Sequence, residues 1–184
     1  MNLYLKDVYD KLYKRANAFD IITSKLEELN RPVTIIETGC SRYADSWYGD
    51  GNSTVVWDNF VNIFGGNVYS VDIDPVATAH AKILVSKKTI IETSDSVEWL
   101  KKLNLKADLL YLDSYDIDWN NPDPSMKHHA KELNASLHLL SIGSIVAVDD
   151  NLPNVGKGYI VESVALALGW TPIVNEYIKA WVVT

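Results

Sequence analysis

Five times along the chain, a run of consecutive apolar or β-branched residues reaches an acidic residue and gives way to helical spacing. The runs are "VTIIET" (33–38), "NVYSVDID" (67–74), "KTIIET" (88–93), "ADLLYLD" (107–113) and "SIVAVDD" (144–150). Unbroken apolar runs of this length belong to strands covered on both faces. Helical patterns follow at "VVWDNFVNIF" after Ser53-Thr54, at Pro75 to about Leu84, at "SVEWLKKL", from about Ser125 to Leu140, and at "YIVESVALALG". Strand–helix alternation predicts a parallel sheet with helices on both faces. Two closing runs, "TPIVNEY" and "KAWVVT", predict an antiparallel hairpin at one side. Leu3, Val8, Leu12, Ala16, Phe19, Ile22 and Leu26 recur at three- to four-residue intervals, so residues 3–29 read as a helix outside the alternation, ended by Asn30-Arg31-Pro32. It is expected to be a lid or a packing helix. The 184 residues suit a single domain, 1–184, with 1–30 as an N-terminal helical segment and 32–184 as the core.

The charge balance narrows the partners. Net charge is −7, and no basic run exceeds the pairs Lys87-Lys88 and Lys101-Lys102. A phosphate-backbone binder needs a positive face, so no nucleic-acid partner is expected. Cys40 is the one cysteine, which excludes an internal disulfide and suits a reducing compartment. The first twenty residues carry charges throughout, without an apolar signal core, and no stretch nears the roughly 20 apolar residues of a membrane span. The expectation is a soluble cytoplasmic protein with no membrane partner; oligomeric state leaves no trace in the sequence.

Ligands of open parallel sheets bind beyond the carboxyl ends of the strands. Those ends carry Glu37 and Gly39; Asp72 and Asp74; Asp95; Asp113 and Asp116; and Asp149, Asp150 and Asn151. Helix capping accounts for Asp95 and for Asp74. It accounts less well for the Asp113-Ser-Tyr-Asp116 set or the Asp149-Asp150-Asn151 run, which precede no obvious helix.

In this order the motifs resemble class I S-adenosylmethionine-dependent methyltransferases over about residues 32–184. "IIETGCS" resembles the family's first motif, "VYSVDIDP" its second, and "TSDSVEWL" its adenine-side motif. "YLDSYD" with "VAVDDN" is similar to the metal-dependent O-methyltransferases of the catechol and macrocin types. The resemblance implies a Rossmann-like, doubly wound, mostly parallel seven-stranded sheet, with S-adenosylmethionine as cofactor and a small molecule as methyl acceptor. It implies cofactor contacts at Glu37, Gly39, Ser53, Asp72, Ile73, Asp95, Ser96 and Asp113. Asp72 can accept two hydrogen bonds from a ribose diol, and Asp95 one from the adenine amine. Gly39 lets the main chain approach a ligand, Glu37 lies where the family orients the methionine ammonium, and Ser53 at a helix start brings N–H donors toward a carboxylate.

The resemblance further implies a divalent cation on Asp113, Asp150 and Asn151, whose oxygen donors suit Mg²⁺, Ca²⁺ or Mn²⁺. Hydrogen-bonding carboxylates without metal are the competing account. Asp149 and Asp150, adjacent on a strand end, are expected to point to opposite faces. The family's catalytic lysine position is Asp116 here, with no lysine nearby. The base then falls to a metal, to Asp116, or to His128 or His129, which sit with Glu132 in "SMKHHAKEL"; solvated histidines are the plain alternative. Eleven residues, 40–50, separate Gly39 from Gly51, against about three before the next glycine in the family. With Arg42, Tyr43, Trp47 and Tyr48 this insertion reads either as a flap over the substrate or as a surface loop packed on the first helix. Tyr115 and Trp119 join those aromatics as a surface for an aromatic or sugar acceptor. Three rival functions stand beside methyl transfer. A nicotinamide oxidoreductase would need G-x-G-x-x-G after the first strand, which is absent. A non-methylating cofactor-binding protein and a metal-dependent hydrolase remain.

Overall fold

The computed structural model describes Leu5 and residues 8–184. Seven strands form one sheet: β1 (Val33–Thr38), β2 (Gly66–Asp72), β3 (Thr89–Thr93), β4 (Leu109–Leu112), β5 (Ile145–Val148), β8 (Thr171–Asn175) and β9 (Lys179–Val182). Their order is β3-β2-β1-β4-β5-β9-β8. The first five are parallel, and β9 runs antiparallel to both β5 and β8. The order turns back at β1, whose neighbours are β2 and β4. At such a switch point the two outgoing loops diverge and leave a crevice.

The central strands β1, β4 and β5 are buried on both faces, and their alternate side chains feed two cores. Ile35, Leu109, Tyr111, Ile145 and Ala147 face α2 (Ala16–Glu28) and α3 (Ser53–Phe64) through Phe19, Ile22, Trp57 and Phe60. Ile36, Leu110, Leu112, Val146 and Val148 face α5 (Ser96–Lys102), α6 (Asp123–Ser136) and α7 (Tyr159–Ala167) through Leu100, Leu133 and Val161. On α4 (Pro75–Leu84), Ala77 and Ala81 pack on Ile91 and Cys40.

Two expectations are corrected, and one element is added. The N-terminal helix is interrupted: α1 covers Tyr9–Leu12, a 3-10 turn covers Tyr13–Arg15, and α2 follows. The break falls at Tyr13, whose φ of 49° and ψ of −113° lie outside helical space. Residues 3, 4, 6 and 7 of the expected helix lie outside the described residues. The loop after β5 holds a two-strand ribbon, β6 (Asn151–Leu152) paired with β7 (Val155–Gly156). Asp149 and Asp150 do not diverge, because Asp150 has φ 55°. Opposite faces follow only from extended backbone. Among the described residues no helix is long and apolar enough to cross a membrane.

Candidate functional site

The ends of β1, β2, β4 and β5 open onto a cavity of about 210 Å³. Gly39 forms its floor. Its φ is +80°, and a Cβ there would lie 2.4 Å from the Asp113 carbonyl oxygen. Only glycine lets the chain leave β1 so close to the end of β4. Asp72, ending β2, accepts from Cys40 N at 3.1 Å and from Asp74 N at 2.9 Å. These two backbone donors fix the carboxylate at the cavity wall. Ile73 beside it also lines the cavity and is 71% exposed. Ser53, in the first turn of α3, lines the same cavity.

Glu37 is not on the wall. It is fully buried behind it and accepts from Ser53 Oγ (2.6 Å), Thr54 Oγ1 (2.7 Å) and Ser70 Oγ (2.6 Å). Burial pushes its carboxyl up to about 7, against the pull of these three hydroxyls. Ser53 and Thr54 therefore serve Glu37 and do not cap α3. Asn52 holds the N-cap position in a left-handed conformation, with no side-chain cap. Of the three hydroxyl residues bonded to Glu37, Ser53 is the one that lines the cavity.

The aspartate rim holds its own cations. Lys157, 1% exposed, places Nζ 2.5 Å from Asp113 Oδ1 and 2.9 Å from Asp150 Oδ2. Arg15 directs Nε to Asp149 Oδ2 at 2.6 Å and Nη2 to Asp150 Oδ1 at 3.0 Å. Tyr111 donates its hydroxyl to Asp149 at 2.8 Å, and Arg15 stacks on the Tyr177 ring at 4.8 Å. Desolvation opposes the Lys157 charge, but the attraction of Asp113 and Asp150 exceeds it and carries the ammonium above its ordinary pKa. Burial likewise opposes ionisation of Asp150, and Lys157 with Arg15 reverses that and holds it below the ordinary carboxylate range. A carboxylate left alone at this depth would cost several kcal/mol.

The sequence reading missed both cations. Arg15 follows Leu12 by three residues and precedes Phe19 by four, so it is a charge on an apolar helical stripe. That mismatch was its signal. Gly51 makes room for it, since a Cβ at this position would lie 2.8 Å from Arg15 Cδ. Lys157 carries a weaker signal, a lysine flanked by Gly156 and Gly158 shortly after the Asp-Asp-Asn run. A lysine does reach Asp113, but from the loop before α7 and from behind the cavity.

Asn151 does not offer an oxygen to a metal. Its side-chain amide donates to the Val148 and Asp149 carbonyls at 2.9 and 3.1 Å, and its Oδ1 accepts from Gly158 N at 2.9 Å. With Lys157 between the other two proposed ligands, the donor set does not fit a divalent cation. Among the described residues no group of three or more His, Cys, Asp or Glu side chains is arranged to hold one.

The remaining predicted residues lie away from the cavity. Asp95 caps α5 through Glu98 N at 2.9 Å, and Ser96 pairs with His128 Nε2 at 3.1 Å; neither lines the cavity. His128 and His129 do not line it either. His129 is buried and donates Nδ1–H to the Ser125 carbonyl at 2.7 Å. Burial lowers its pKa to about 4, so the ring is neutral. His128 lies 3.3 Å from Glu132 and packs on Tyr115. This helix face braces the loop after β4, where Ser114 donates to Glu132 at 2.6 Å. A general-base role at the rim is therefore withdrawn for both histidines.

The 40–50 insertion packs through its aromatic residues and reaches the cavity through Arg42. Trp47 packs on the first core, and Tyr48 meets the Tyr13 ring at 5.1 Å. Arg42 lines the cavity and spans it, bonded to Asp50 at 2.7 Å and to Asp116 at 2.9 Å. Tyr43, Trp47, Tyr48, Tyr115 and Trp119 do not line the cavity. Asp116 does, on the exposed side. Six aspartates (50, 72, 74, 113, 116 and 150) face it against Arg15 and Arg42.

No protein-family model matches the chain, and no curated protein matches it in sequence. Solved structures do match it in fold. MycE, a methyltransferase from the mycinamycin biosynthetic pathway solved with Mg and SAH, superposes with a TM-score of 0.65 at 15% identity, covering 91% of this chain and 49% of its own. The present chain thus spans about half of MycE. SAH-bound PaMTH1 of Podospora anserina gives 0.64 at 14% identity, covering 100% and 89%. The O-methyltransferase NovP gives 0.64 at 13% identity, covering 93% and 80%. The fold is that of the S-adenosylmethionine-dependent methyltransferases. In this methyltransferase fold the cavity sits where β1 and β4 diverge, and the expected sheet, with its closing hairpin, is the one found.

Proposed function

We propose that this protein transfers the methyl group of S-adenosylmethionine to an oxygen of a small-molecule acceptor. The observation that carries the reading is the wall formed by Gly39, Asp72 and Ser53 at the switch point of the sheet. Asp72 is held by two backbone donors, with its carboxylate at the cavity edge to receive a ribose diol. Ile73 offers an exposed apolar surface next to it for a purine face. Six aspartates against two arginines give the cavity a negative field. That field favours a ligand bearing a sulfonium and an ammonium over one bearing phosphates.

S-adenosylmethionine supplies an electrophilic methyl carbon on a positively charged sulfur. The contribution of the chain is chiefly to hold the donor and acceptor in line, since orientation alone can account for several kcal/mol of barrier. Asp113, and Asp116 on the open side, are the carboxylates set to take the hydroxyl proton as the new carbon–oxygen bond forms. Oxygen as the accepting atom is also supported by NovP, itself an O-methyltransferase.

Calorimetric titration with S-adenosylhomocysteine tests the cofactor half. Binding with a Kd in the micromolar range is expected. Asp72→Ala should weaken it by about 1.5–3 kcal/mol, the worth of hydrogen bonds to a charged acceptor. Wild-type protein that does not bind, or a variant that binds unchanged, would sink the reading. Methyl transfer to any hydroxylated acceptor then separates an enzyme from a passive binder.

A further inference from the structure

We infer that the ammonium of Lys157 occupies the place of a divalent cation between Asp113 and Asp150, so that this site works without metal and becomes a metal site once the ammonium is removed. The two carboxylates come from the ends of neighbouring strands, β4 and β5. They converge on one nitrogen at 2.5 and 2.9 Å. Carboxylate oxygens converging on a point charge is the arrangement a hard cation requires. Here a side chain of the protein supplies the charge.

The loop is shaped to deliver it. A Cβ at Gly156 would lie 2.5 Å from Asn151 Cα, and one at Gly158 would lie 2.9 Å from Asn151 Oδ1. Both glycines thus let the loop fold tightly against Asn151. Lys157 N donates to the Asp150 carbonyl at 3.1 Å, which fixes the backbone below the side chain. Asn151, the third donor a metal would need, is committed to this loop through Gly158 N. Arg15 places a second cation on Asp150 at 3.0 Å. A divalent ion entering the wild-type site would meet two fixed positive charges and displace a buried lysine. Lys157 does not line the cavity, whereas Asp113 and Asp150 do. It is therefore a positioning residue, holding two carboxylates that face the ligand. The purpose of that holding rests on the methyl-transfer reading; the occupancy of the place does not.

Mn²⁺ is the probe, followed by its electron paramagnetic resonance spectrum during titration into wild type, Asp150→Asn, Lys157→Met, and Lys157→Met combined with Asp150→Asn. Methionine keeps an unbranched side chain as far as Cε and leaves out the ammonium. Wild type should leave the Mn²⁺ spectrum as in buffer into the millimolar range. Lys157→Met should bind at least about tenfold more tightly than wild type, and the double variant should lose that gain. Uptake by wild type that Asp150→Asn abolishes would overturn the inference, as would a folded Lys157→Met variant that takes up none. Should Lys157→Met fail to fold, the wild-type arm still decides, together with calorimetry of S-adenosylhomocysteine in EDTA and in Mg²⁺. Affinities within about twofold support the inference, and a gain of about fivefold or more with Mg²⁺ overturns it. If the homocysteine compound does not bind at all, the functional proposal falls while the Mn²⁺ arms still decide this one.

Discussion

Glu37 and His129 are both buried, and they tie stability to pH in opposite directions. Glu37 is raised from 4.5 to about 7, chiefly by burial. Between these values the folded state binds more protons than the unfolded state, so stability falls as pH rises. The contribution is fully present below 4.5, is lost through about 7, and is worth about 3 kcal/mol. His129 is lowered from 6.5 to about 4, again chiefly by burial. Here the folded state binds fewer protons, so a contribution of about 3 kcal/mol is present above 6.5 and is lost as pH falls through about 4. Urea unfolding at pH 5 and pH 8 checks both. Against wild type, Glu37→Gln should gain relative stability at pH 8, because the protonation mimic no longer needs a proton. His129→Phe should gain relative stability at pH 5. A difference that does not vary with pH would refute the assigned state of that residue. The Hε1 resonance of His129 should not titrate between pH 8 and pH 5.

At the scale of elements, what the sequence disclosed was what local pattern controls. Strands buried on both faces announce themselves as apolar runs, and α4 begins at Pro75 and ends at Leu84 as its spacing predicts. The strand-end acids were legible for the same reason, and Asp72, Asp113, Asp116 and Asp150 do share one cavity. Pairings between distant residues were not legible. Lys157 and Asp113 are 44 positions apart, and Arg15 and Asp149 are 134 apart. The β6–β7 ribbon has two-residue strands, too short for any period to show. The 40–50 insertion sits between these cases. Its aromatic residues hinted at packing, but its span depends on Arg42 meeting Asp50 and Asp116. Arg42 is 41% exposed and Asp116 72%, so the outer pair is worth at most about 1 kcal/mol. Arg42→Ala is accordingly expected to change global stability by less than about 1 kcal/mol. Amide exchange should nonetheless quicken at residues 42–50 and not at α3. Equal protection in both proteins would show that Trp47 and Tyr48 alone hold the loop.

The whole molecule joins core and cavity through one line of contacts. Phe19 on α2 packs at a tilt on Trp57, with centroids 4.8 Å apart, and stacks on Tyr111 at 5.9 Å. Tyr111 donates to Asp149, Asp149 binds Arg15, and Arg15 is the N-cap residue of α2. The helix that covers the first core therefore also carries a cation of the site. A cavity made in that core should be read at the rim. Phe19→Ala is expected to cost about 3–5 kcal/mol by urea unfolding, since it removes a fully buried ring. At a temperature where the variant remains folded, its affinity for S-adenosylhomocysteine should also fall, by about threefold or more, as Tyr111 and Arg15 lose their support. Leu139→Ala is the comparison. Leu139 is equally buried but belongs to the core on the other face of the sheet, beyond α6. It should cost a similar 2–5 kcal/mol or so and leave the affinity within about twofold. Packing loss alone would make the two variants alike in binding. Only a path from α2 through Tyr111 to Asp149 makes them differ.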